Sequence, residues 1–221
     1  MGTEQTSSAR PGFAVDKETA LRHAAERLAE EYRGTFGAAT IDRFLAESYD
    51  GFASRATVPT YLPLLAERFA RLRLHALARA EGRVRDGRPA VLFLCVRNGG
   101  RSQMARAFLG HHAGDRAVGW SGGSEPGGAL VPAVVTAMAE RGIDISGEVP
   151  QPWTDETLRA ADVVVTMGCG DACPIVPGTR YLDWELDDPA GEDLTRVRLI
   201  RDEIERRVLA LLAELGIDAA A

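Results

Sequence analysis

Residues 92–105, LFLCVRNGGRSQMA, hold the densest collection of reactive side chains in the chain. Cys95 closes an apolar run, Gly99 and Gly100 follow in a short loop, and Arg101 and Ser102 open the next segment. The backbone N–H groups of such a loop converge, and a helix N-terminus behind it adds positive potential, so an oxyanion is the natural guest. A thiol in that field is expected to be held substantially as thiolate. Arg101 can return over the loop and take two oxygens of a tetrahedral anion, while Ser102 can donate a hydrogen bond to the sulfur. Val96, Arg97, Asn98, Gly99, Gly100 and Arg101 are therefore the expected substrate-binding residues. A lysine-dependent phosphate loop is excluded, because Cys95 stands where that motif has its first glycine and Arg101 where it has lysine. A buried cysteine beside an ordinary glycine turn is the weaker alternative, since it leaves the spacing to Arg101 and Ser102 unexplained.

Two distal segments carry further chemistry. In DWELDDPAG, residues 183–191, an aspartate immediately before proline is held in extended backbone and could cap an oxyanion pocket. Asp188 is that aspartate and Asp187 its neighbour; taken alone the segment reads as a turn, and beside the Cys95 loop it reads as an acid. In VVVTMGCGDACP, residues 163–174, Cys169 and Cys173 follow a second apolar run, so they belong to the same end of any parallel sheet as Cys95. Within one helical turn their Cα atoms would stand ~6 Å apart, inside disulfide range. Half of a zinc clip, or two inert buried thiols, are the alternatives, and neither His111 nor His112 supplies a convincing second half.

The Cys-(x5)-Arg-Ser pattern resembles the low-molecular-weight tyrosine phosphatase superfamily. With the preceding strand and NGGRSQMA following, it is closer to that superfamily's arsenate reductase branch. The resemblance covers roughly residues 89–215 and rests on the three separated motifs. It implies that Cys95 is the nucleophile, that Arg101 binds the oxyanion, and that Asn98 and Ser102 orient the loop and stabilise the thiolate. It also implies that Asp188 protonates the departing oxygen. Reducing arsenate takes two electrons, which thiols supply by ending as a disulfide. Thioredoxin-coupled members carry two further cysteines in this region, which implies Cys169 as resolver and Cys173 as relay, although the best-known bacterial form spaces them more widely. Arsenate as substrate and thioredoxin as reductant follow from the same likeness. A phosphotyrosine protein phosphatase is the first alternative, though Val96 and Arg97 offer no aromatic pocket wall. Resolution by a low-molecular-weight thiol such as mycothiol is the second, and an arsenic-sensing or scaffold protein, with the helical part as its working part, the third. Some relatives bind potassium through a glutamate where this chain has Arg106, so no such site is expected. No cofactor or metal is expected either.

These motifs need elements to hold them. From residue 89 onward, strands alternate with helices: PAVLFLC, then a helix over 101–112, then AVGWS. Helices follow over 132–141 and 154–160, then the strand ADVVVTM, an edge strand in TRYLDWEL, and a long closing helix over 195–215. Its apolar stripe is Val197, Ile200, Ile204, Val208, Leu211 and Leu212. Alternation with short connections predicts an α/β domain, a small four-stranded parallel sheet flanked by helices, over residues 86–221. Residues 16–85 read instead as an all-α three-helix bundle, behind a flexible tail of residues 1–15. Its first helix opens at Asp16, its second runs from about Ile41 to Phe52, and its third begins near Thr57, with Pro59 in the first turn and Pro63 bending or delaying it.

Composition sets the outer bounds. The 221 residues are 45% apolar and 26% charged with formal net charge −6, which excludes disordered and collagen-like classes. Lys17 is the single lysine among 26 basic residues, so Schiff-base or lysine general-base chemistry would have to run through it. Arginines at 71, 73, 79, 83 and 85 read as a solvated helix face rather than a nucleic-acid surface, because no aromatic or amide readers accompany them. Three cysteines and a polar N-terminus, MGTEQTSSARPG, predict reduced thiols in a cytoplasmic protein. No apolar run reaches the ~18–20 residues needed to span a membrane. Apolar content in the helical part suggests a homodimer.

Overall fold

The computed structural model describes residues 16–54, 61–84, 86–168 and 174–219. Three helices come first: α1 (Lys17–Glu31), α2 (Ala38–Ala53) and α3 (Leu62–Ala80). An alternation of strands and helices follows, with β1 (Ala90–Cys95), α4 (Arg101–Ala113), β2 (Val118–Gly123), α5 (Pro132–Ala139), α6 (Asp155–Ala160), β3 (Val163–Met167), β4 (Arg180–Asp183) and α7 (Leu194–Glu214). Two compact units divide at Leu72/Arg73, inside α3 rather than between residues 85 and 86 as the sequence pattern suggests. The last two turns of α3 belong to the second unit because their arginines are anchored there. Arg73 pairs with Glu156 at 3.0 Å, and Arg79 reaches Asp162 at 2.8 Å, Asp86 at 2.9 Å and the Ala160 carbonyl at 3.1 Å. The reading of these arginines as a solvated face is therefore corrected: Arg73 is buried. Of α3's start, Thr57 and Pro59 lie outside the described residues. Pro63 is the second residue of the helix, where its missing N–H would have had no intrahelical partner.

In the first unit, Leu28, Ile41, Phe44, Leu45, Phe52, Ala66 and Phe69 are buried, and Phe52 meets Phe69 edge-on. Glu67 is buried beside them and is held by two arginines. Arg27 forks onto it at 2.6 and 3.0 Å, and Arg71 adds a bond at 2.9 Å. The hydrogen bonds from Arg27, against the opposing cost of burial and with Arg71 adding, hold the Glu67 carboxyl below its ordinary 4.5. That contribution is complete above about pH 4.5 and disappears as pH falls through the depressed folded value. Glu67→Gln is expected to lose about 1–2 kcal/mol at neutral pH, since half-exposed Arg27 stays solvated. Thermal unfolding of the full chain from pH 7 down to about 3 should show the variant and the parent converging. A constant gap would mean that the carboxylate's charge is not what stabilises this unit. Lys17, meanwhile, lies 4.1 Å over the Tyr49 ring, in this unit.

In the second unit all four strands are parallel, in the order β2-β1-β3-β4. Both faces are covered, which is why β1 is apolar at every position. Val91, Phe93 and Cys95 face the core built with α4, α5 and α7, including the whole predicted α7 stripe. Leu92 and Leu94 alternate onto the opposite face and are also buried. Because β1 is followed by β2 on one side and flanked by β3 on the other, the chain reverses its direction of winding at the carboxyl end of β1. A ligand crevice forms at such a point.

Candidate active site

The loop from Val96 to Gly100 leaves β1 at this switch point, and α4 begins at Arg101. Most of its carbonyls are already occupied. Those of Cys95, Val96 and Arg97 accept from the amides of Ser124, Glu125 and Gly127, and that of Gly99 accepts from Val131. The segment after β2 thus holds the loop from outside. Among the described residues, the amides of Val96, Arg97, Gly99 and Gly100 donate to no protein acceptor. Four uncommitted N–H groups around the start of a 13-residue helix form a cradle for a tetrahedral anion. The close approach requires glycine at Gly123, where a Cβ would fall 2.6 Å from the Val96 carbonyl oxygen.

Cys95 lies at the bottom of this loop, 3% exposed. Its Sγ accepts from the Asn98 N–H at 3.2 Å and stands 3.0 Å from Ser102 Oγ. The sulfur is thus held from two sides. Asn98 adopts the left-handed region at φ 48°, which turns its amide back onto the sulfur. Its side chain reaches Ser102 at 2.8 Å and accepts from Gln103 and from the Gln151 amide. Gln103 and Gln151 were not among the residues expected from sequence. Gln103 follows the motif directly, but Gln151 comes from a distant loop, tied to β2 through Ser121 and Gly123.

Arg101 is buried, and its fork is directed at the Asp188 loop: Nη2 donates to Asp188 Oδ2 at 3.0 Å and Nη1 to the Leu186 carbonyl at 3.1 Å. Pro189 packs on the loop so closely that a Cβ on Gly100 would meet its Cγ at 2.7 Å. Gly168 lies beside the same guanidinium. The Asp-Pro segment and the Cys95 loop are therefore one site, although they are far apart in sequence. A guanidinium has five N–H donors, so two used here leave three for a substrate oxyanion. Asp187 turns away to pair with Arg196, which leaves Asp188 as the carboxylate facing the site. Arg97 is exposed at the loop's rim, and Arg106 pairs with Glu148 at 2.7 Å. Cys169 and Cys173 lie outside the described residues. Their segment departs from Gly168, directly after Met167, and Met167 is the β3 residue paired with Cys95.

Residues 90–221 match the family described as low molecular weight phosphotyrosine protein phosphatase, and residues 21–78 match the protein-tyrosine-phosphatase-like N-terminal domain. The chain belongs to the low molecular weight phosphotyrosine protein phosphatase family. Several of the proteins it is similar to are arsenate reductases. A thioredoxin-dependent arsenate reductase of Corynebacterium glutamicum is 48% identical over 89% of this chain and 96% of its own, with TM-score 0.81. Arsenate reductase 1 of Staphylococcus epidermidis is 38% identical over 53% of this chain and 91% of its own length. A solved arsenate reductase in the phosphate-binding state is 33% identical over 57% of this chain and 98% of its own, with TM-score 0.52. The α/β unit is thus shared with single-domain reductases, and the helical unit with the corynebacterial protein. Among the described residues, no helix is long and apolar enough to cross a membrane.

Proposed function

We propose that this chain reduces arsenate to arsenite and is regenerated by thioredoxin. The observation that carries the reading is the Cys95 sulfur, held by Asn98 and Ser102 inside a loop with four uncommitted amides and Arg101 beside it. Both arsenate and a phosphate ester fit such a cradle. The kinship with arsenate reductases, over nearly the whole chain in the corynebacterial case, supports arsenate.

Arsenate binds to the loop amides of Val96, Arg97, Gly99 and Gly100, with the guanidinium of Arg101 taking two oxygens. The Cys95 thiolate attacks arsenic and forms an S–As bond, while an oxygen leaves as water with a proton from Asp188. Cys169 then attacks Cys95 Sγ. A Cys95–Cys169 disulfide forms, the electron pair of the S–As bond stays on arsenic, and arsenite departs at two electrons lower. Cys173 attacks Cys169, freeing Cys95 and moving the disulfide to Cys169–Cys173, which a thioredoxin dithiol reduces. The burial of Cys95 supports a relay, because an external protein dithiol has no direct line to that sulfur. The reading places the enzyme in a reducing cytoplasm as a homodimer, for which exposed Tyr61 and Leu64 near the start of α3 offer apolar surface.

Steady-state arsenite production with thioredoxin and its reductase, compared with a mycothiol-type system, tests this. Turnover with thioredoxin is the expected result. Turnover only with the small thiol would replace the reductant, and turnover with neither would overturn the reading.

A further inference from the structure

Asn98 has two chemically different ends, and the structure fixes which is which. Its Oδ1 faces two donors, Gln103 Nε2 at 3.0 Å and the Gln151 backbone N–H at 2.9 Å. A backbone N–H cannot accept, so the amide cannot be reversed without setting its NH2 against that donor. Nδ2 must then donate to Ser102 Oγ, at 2.8 Å. That hydroxyl, receiving one N–H, has its own hydrogen left for its other neighbour, and Cys95 Sγ stands 3.0 Å away. A thiolate can only accept. The four side chains therefore form a head-to-tail series of donors, Gln103 to Asn98 to Ser102 to Cys95, in which each link polarises the next.

Gln103 is the origin of this series, and its other end shows what it is there for. Gln103 is 1% exposed, and its Oε1 has no hydrogen-bond partner among the described residues. A buried orphan carbonyl costs at least as much as one neutral hydrogen bond returns, so an apolar side chain would serve packing better at this position. We infer that Gln103 is a positioning residue for the Cys95 thiolate, acting through Asn98 to hold the Ser102 hydroxyl as donor to the sulfur. This rests on the reading of Cys95 as nucleophile, but it concerns the sulfur itself and so can be tested without arsenate.

The test is the rate of Cys95 alkylation by iodoacetamide in the full chain, with Cys169→Ser and Cys173→Ser leaving Cys95 as the only thiol. Gln103→Met is expected to slow alkylation about 3–10-fold near pH 6 and to leave it within about twofold near pH 10, where the thiolate forms regardless. Ser102→Ala should slow it at least as much near pH 6. In the Ser102→Ala background the Gln103→Met effect should vanish, because its path to the sulfur is gone. A merely structural role would give the same loss in both backgrounds or at both pH values, and either result overturns the inference, as does an unchanged rate near pH 6. Should Gln103→Met fail to give a parent-like circular dichroism spectrum, Gln103→Glu keeps the shape and turns a donor into an acceptor. Its loss near pH 6 should then be larger with Ser102 present than with alanine there, and an equal loss overturns the inference.

Discussion

Cys95→Ser is expected to reduce arsenate turnover by at least ~10⁴-fold while leaving the fold and anion binding in place. The reason is twofold. A serine hydroxyl in the same cradle is a far weaker nucleophile than a thiolate, and an oxygen cannot end as half of a disulfide, so both the first bond and the electron transfer are lost. The surroundings should tolerate the change, because serine is smaller than cysteine and can accept from the same Asn98 N–H. The loop amides and Arg101 remain, so titration calorimetry with arsenate or phosphate should give a Kd within about threefold of the parent. Arsenite production above background in the variant would place the nucleophile elsewhere. Loss of anion binding together with activity would mean that the substitution had collapsed the loop.

The second large effect separates the two remaining cysteines. With Cys169→Ser, the Cys95–arsenic adduct has no internal resolver, and thioredoxin-driven turnover should stop without arsenite release. With Cys173→Ser, the first disulfide can form, so about one arsenite per chain should appear in a burst and then no more. The burst should leave Cys95 disulfide-bonded to Cys169, read by mass spectrometry, because a sulfur 3% exposed is shielded from an external dithiol. Sustained turnover of Cys173→Ser would remove Cys173 from the relay. Sustained turnover of Cys169→Ser with mycothiol alone would favour the small-thiol alternative. Hydrolysis of p-nitrophenyl phosphate, in contrast, needs only Cys95, Arg101 and Asp188, and whatever phosphatase activity the parent has should survive in both variants.

The elements of the α/β unit were legible because their signals are local. β1 is apolar at every position since it is buried on both faces, and every residue of the predicted α7 stripe is buried, with Arg201 buried beside them. α3 is less legible. Its arginines look like a solvated face in a linear sequence, and only their partners at Glu156 and Asp162 show why Arg73 and Arg79 turn inward. Its assignment to two units follows from those same pairs, which composition cannot register. Lys17, whose solitude excluded several chemistries, lies over Tyr49 in the helical unit.

The sequence by itself determined the reactive group and its first neighbours. Cys95, the loop glycines, Arg101 and Ser102 lie within eight residues, and a strand–loop–helix places them together whatever the rest of the chain does. Tertiary structure decided everything that depends on which atom faces which. It brought Asp188 and the Leu186 carbonyl to Arg101, sent Asp187 to Arg196 instead, and set amides of 124–131 against the loop's carbonyls while four of its N–H groups stay uncommitted. It also brought the Gln151 amide onto Asn98 and thereby fixed the direction of the hydrogen bonds that end on the sulfur. The physical reason is that residue type and spacing specify what a side chain can do, whereas hydrogen-bond direction depends on donors and acceptors that converge only when distant segments pack.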